Sequence, residues 1–157
     1  MGTLIMSGQD RRNGSNSSLD SIIRIKEWRS EEIETEIMKL QKIIDEHEER
    51  LKDMEAEFRF HIEEFKKTQQ GTTMGADEMQ SYHAYMEGMN ERMKKERLAI
   101  MNRIQEMMTK REKLISLYKE KRVVEKLKEK QVAEMKRFAE RREQKEIDFL
   151  SVRRYSG

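Results

Sequence analysis

The chain has 157 residues, of which 41% are Asp, Glu, Lys or Arg, 35% are hydrophobic and 6% aromatic, with no proline, no cysteine and a formal net charge of +2. That composition belongs to long helices and coiled coils, and it excludes disulfide staples, thiolate metal sites and a thick globular core. The near balance of charge argues against a dedicated nucleic-acid binder, whose basic surplus is usually much larger.

Residues 1–17 are rich in Gly, Ser and Asn and predict a disordered leader, because such a segment cannot bury enough to offset backbone ordering. Gly2 gives only a poor myristoylation pattern, since Met6 stands where Ser or Thr is required. Two glycosylation-like triplets at Asn13 and Asn16 would need a secretory route, yet the N-terminus lacks a signal-peptide core. No segment approaches the roughly 20 apolar residues of a membrane span. A cytoplasmic protein is expected.

Ser17-Ser18-Leu19-Asp20 reads as a capping box and predicts helix one over about 19–69. Gln70 to Gly75 then breaks the pattern, with Gly71 suited to a left-handed helix stop. Ala76-Asp77-Glu78 places acids in a first turn, where they complement the helix dipole, and helix two is expected over about 76–153 with Gly88 as its weak point.

Apolar spacing pairs the two. Ile33, Ile37, Leu40, Ile44, Leu51, Met54, Phe58 and Phe65 fall on steps of three and four, with His47 and His61 at the skipped positions. In helix two Tyr82, Met86, Met89 and Met93 obey the same rule, and Ile100, Ile104, Met107, Leu114 and Tyr118 resume it after a slip near Glu96 that resembles a stutter. The short turn then predicts an all-α fold, a long antiparallel two-helix coiled-coil hairpin over 18–155. Residues 19–68 hold 10 basic and 15 acidic residues, a net −5, and 77–155 hold 21 and 15, a net +6. Opposite signs favour the pairing. A turn centred near 73 sets residue 19 opposite about 127, so helix two overhangs beyond about Lys128. Val132, Met135, Phe138, Ala139, Ile147, Leu150 and Val152 lie along that overhang, and an exposed apolar stripe marks an interaction surface.

Catalytic constellations are missing. His47 and His61 lie about 21 Å apart on one helix and read as polar layers fixing register, not as metal ligands. His83 has no triad arrangement around it, and neither Gly71 nor Gly75 opens a phosphate loop. Neither enzyme nor cofactor chemistry is expected. The methionines of helix two suit either an irregular seam or an adaptable binding surface.

The helical hairpin, the aromatic opening of helix two (Tyr82, Tyr85, Met86, Met89) and the ending Arg141-Arg142-Glu143-Gln144-Lys145-Glu146-Ile147-Asp148 followed by Arg153-Arg154-Tyr155 resemble the flagellar export protein family FliJ. The chain departs from it at Phe149, where the family often has Glu. The resemblance implies a stalk similar to the coiled-coil part of the γ subunit of rotary ATP synthases, entering the pore of an export ATPase hexamer. It further implies contact with the cytoplasmic domain of the membrane export gate, escort of export chaperones and membrane association through partners only; the acids interspersed in helix two already argue against nucleic acid as a partner. The ATPase contact would then use Arg141, Arg142, Glu143, Lys145, Ile147, Asp148, Leu150, Arg153, Arg154 and Tyr155, and the gate contact Tyr85, Met89 and Arg92. A virulence type III stalk, or a generic coiled coil dimerising through the overhang, are the alternative readings.

Overall fold

The computed structural model describes residues 8–71 and 73–155. Two helices account for nearly all of them: α1, Gly8–Gly71, and α2, Ala76–Tyr155. They form an all-α hairpin with an overhanging C-terminal helix. The Met79 N–H donates to the Gly75 carbonyl at 3.1 Å and closes the first turn of α2. Asp77 and Glu78 sit in that turn and Arg153 and Arg154 in the last, both favourable to the helix dipole.

Helix α1 starts eleven residues before Leu19. The Ser17 carbonyl accepts from the Ser21 hydroxyl at 3.0 Å inside the helix, so Ser17 is not its cap. A capping pattern is local, and without proline nothing upstream forces the helix to stop. The first seven residues of the leader lie outside the described residues. Gly71 ends α1, but no described glycine has a positive φ, so the left-handed stop does not form.

The chain divides into two compact units, to each of which both helices contribute. The first, Ile33–Lys113, is built on a cluster of Leu40, Ile44, Ile100 and Met107, with Ile37 and Leu51 packed against it. All ten α1 positions expected at the seam, from Ile33 to Phe65, are buried or half-buried. Phe65 and Tyr82 stack with centroids 3.7 Å apart and planes 7° from parallel, so Tyr82 is a packing residue.

The expected slip does not occur. Glu96 occupies the seam three residues after Met93 and four before Ile100, and after one exposed step at Arg103 the same register returns at Met107 and Lys110. Its carboxylate accepts from His47 Nδ1 at 2.6 Å and Arg50 Nε at 3.0 Å. These bonds hold the Glu96 carboxyl below the usual carboxylate value, His47 first, against the opposing effect of burial. Lys110 does the same for Glu36, its bond and charge lowering the Glu36 carboxyl while the Lys110 amine is raised. Ile104, expected inside, is 37% exposed, because the true seam passes beside it.

The second unit combines Met1–Glu32 with Leu114–Gly157. The same alternation continues here through Leu19, Ile23, Lys26 and Ser30 of α1, Leu19 and Ser30 being buried. The Ser30 hydroxyl donates to the Lys26 carbonyl at 2.8 Å, which satisfies it. From α2, Leu114, Leu117, Lys121, Val124 and Lys128 are half-buried, whereas Tyr118 is 45% exposed and leaves the seam to Leu117. Lys26 pairs with Glu120 at 2.6 Å, Lys121 with Glu27 at 2.9 Å, and Lys128 with Asp20. Asp20 opposite Lys128 is the register that a turn near 73 requires. Gln131 and Met135 are still half-buried, so full exposure starts at Lys136, not after Lys128. Helix α1 runs back to Gly8, so its backbone continues opposite these positions.

Candidate functional site

Every residue of α2 from Lys136 to Tyr155 is exposed, a run of about 30 Å at 1.5 Å per residue. All ten expected ATPase-contact positions, Arg141 to Tyr155, fall within it. It is unusual in being apolar as well: Ile147 is 57% exposed, Phe149 66%, Leu150 60%, Val152 67% and Tyr155 94%.

At about 100° per residue these five side chains stand at roughly 0°, 200°, 300°, 140° and 80° around the helix axis. No sector wider than about 100° lacks one. A helix resting in a groove presents one apolar stripe, whereas a helix apolar all round is surrounded by its partner. Phe149 fills the sector near 200° that would otherwise be open.

Polar groups in this run are held along the helix. Gln144 donates to Asp148 at 3.0 Å, and the Ser151 hydroxyl donates to the Ile147 carbonyl at 2.8 Å. Arg153 and Arg154 border a shallow groove with Ile147, Leu150 and Ser151. From Lys136 to Tyr155 seven basic residues face four acidic ones, a local surplus of three positive charges.

The expected gate-contact residues divide. Tyr85 and Arg92 lie seven residues apart on one exposed flank of the first unit, while Met89 between them is only 2% exposed and packs in the seam. The Tyr85 hydroxyl donates to Glu57 at 2.9 Å, which raises the phenol above its ordinary value, and its ring meets His61 edge-on at 5.0 Å. Among the described residues no group of three or more His, Cys, Asp or Glu is placed to hold a metal ion, and no helix is long and apolar enough to cross a membrane.

The family model for the flagellar FliJ protein matches residues 15–157. The chain belongs to the FliJ family. That match takes in nearly all of α1, the turn and the whole of α2. No curated protein and no solved structure matches the chain. Within this FliJ-family hairpin, apolar counting missed Glu96, Lys110, Lys121 and Lys128, charged residues at seam positions. Their signal was available: each sits on the three-four steps opposite a residue of complementary charge or a histidine in the other helix.

Proposed function

We infer that this FliJ-family chain works in flagellar type III protein export as a coiled-coil stalk. Its C-terminal helix enters the central pore of a hexameric export ATPase, promotes ring assembly and couples the ring to the export gate. The observation that carries the reading is the exposed apolar character of residues 147–155 on all sides of one helix. An encircling partner buries such a segment completely, and a ring lumen admits one or two helices but no thicker domain. The surrounding Arg141, Arg142, Glu143, Lys145, Asp148, Arg153 and Arg154 supply charges of both signs with a basic surplus, suited to guiding entry without a fixed lock.

The flank of Tyr85 and Arg92, with Met89 as packing beneath, is the proposed contact for the cytoplasmic domain of the gate. Tyr85 offers an amphipathic ring at the surface and Arg92 a planar charge, the residue types enriched at binding hot spots. Export chaperones are the third proposed class of partner. All three act in the cytoplasm, with membrane association only through them, and the stalk performs no chemistry of its own.

Deletion of residues 141–157 tests the pore reading. Stimulation of the export ATPase and formation of its hexamer are expected to be lost while the remaining hairpin keeps its helical signal. Unchanged stimulation would refute pore entry.

A further inference from the structure

In a chain 41% charged, the outermost positions of α2 between Lys95 and Glu112 carry no charge at all. They include Leu98, 57% exposed, Met101, 66%, and Met108, 50%, together with exposed Gln105. All belong to the Ile33–Lys113 unit, on the side of α2 turned away from its seam with α1. Lys94, Leu98, Met101, Gln105, Met108 and Glu112 follow steps of four, three, four, three and four. That is a second heptad stripe, complete in spacing and uncovered.

The stripe is self-complementary when two copies run antiparallel about a centre at residue 103. Leu98 then faces Met108 of the second copy, Met101 faces Gln105, and Lys94 faces Glu112, with every contact repeated by the twofold axis. The ends are closed by two opposite-charge pairs, so charge as well as apolar spacing selects the antiparallel arrangement. Among the described residues Lys94 pairs with Glu91, at 3.1 Å on the surface, a contact worth little and easily exchanged. Arg97 would approach Arg111 of the second copy, but Glu55 already takes up its charge at 3.0 Å.

We propose that this stripe is a homotypic docking surface through which two copies of the chain associate antiparallel. Three apolar side chains per copy bury less than the roughly 1,200 Å² of a standard stable interface, so the dimer is weak, with a dissociation constant on the order of 100 µM. The C-terminal helix takes no part in it, and the inference stands apart from the pore reading.

Sedimentation equilibrium of the full chain between about 10 µM and 1 mM tests it. A monomer–dimer equilibrium is expected, weakened at least about tenfold by Met101→Glu, whose exposed site leaves the helical melting unchanged. Lys94→Glu should weaken it too, and Lys94→Glu with Glu112→Lys should restore it, a rescue that mere loss of folding cannot give. With no native cysteine present, Asn102→Cys is expected to form a disulfide-linked dimer on oxidation, since Asn102 lies beside the twofold axis. A monomer throughout the range overturns the proposal. So does a dimer that survives both Met101→Glu and Lys94→Glu, or one abolished by deleting residues 141–157.

Discussion

Replacing Glu96 by Ala separates a continuous seam from one that slips. If the heptad slipped here, Glu96 would be a surface residue and its loss would change stability by no more than about 0.5 kcal/mol. In the structure its side chain is 15% exposed and accepts bonds from His47, 19% exposed, and Arg50, 50% exposed. Hydrogen bonds to charged groups contribute about 1.5–3 kcal/mol, and the exposure of Arg50 discounts its share. A loss of about 2 kcal/mol follows, or about 4–8 °C in Tm for a chain of this size. The double variant His47→Leu with Glu96→Leu should recover most of it, because an apolar layer can replace a buried polar pair but cannot replace half of one. Calorimetry of the single and double variants gives the coupling directly. A Glu96→Ala variant as stable as the parent, or coupling to His47 below about 0.5 kcal/mol, would refute the layer.

Acid should destabilise the fold: the Glu36 and Glu96 carboxyls are depressed by their partners, so their contribution is present above the ordinary value of 4.5 and lost as pH falls through the folded values below it. At the alkaline end Lys110 and Lys121 are raised by Glu36 and Glu27, so their contribution is present below 10.5 and lost as pH climbs past it. A Tm-against-pH curve that falls at both limits and is level between them checks both signs. Gly88→Ala should stabilise by about 0.5–1 kcal/mol, since Gly88 is inside α2 with nothing within 4 Å of an added methyl, and thermal melting reads the gain. Arg92→Ala should weaken binding to the export gate without shifting Tm by more than about 2 °C, as it is exposed; a drop in Tm with unchanged binding would reassign it to structure.

Much of this architecture was legible in the sequence because a heptad is a spacing rule that apolar residues declare one by one. The α1 seam from Ile33 to Phe65 could be read that way, while the glycine-rich break located the turn and set residue 19 opposite about 127, beside the observed Asp20–Lys128 pair. The failures share a cause. Glu96, Lys110 and Lys121 carry the seam with ion pairs, and a search for apolar residues steps over them to Ile104 and Tyr118, which lie outside it. Met89 was read twice, as a seam residue from its spacing and as a gate contact from the family resemblance, and at 2% exposure it belongs to the seam. The start of α1 was misplaced because Ser17 has the chemistry of a cap but sits within a helix that continues past it. At the C-terminus the overhang was legible as exposed and partly apolar. Its all-round character emerged only when Phe149 and Tyr155 were counted with Ile147, Leu150 and Val152.

Single cysteine substitutions at Ile147, Phe149, Leu150, Val152 and Tyr155, in a chain with no cysteine of its own, give the most direct measure of encirclement. The rate of thiol labelling at each, with and without the export ATPase hexamer, reports which sides of the helix the partner covers. Protection at all five is the predicted result; protection confined to one arc, or at none, would contradict insertion of this helix into the ring.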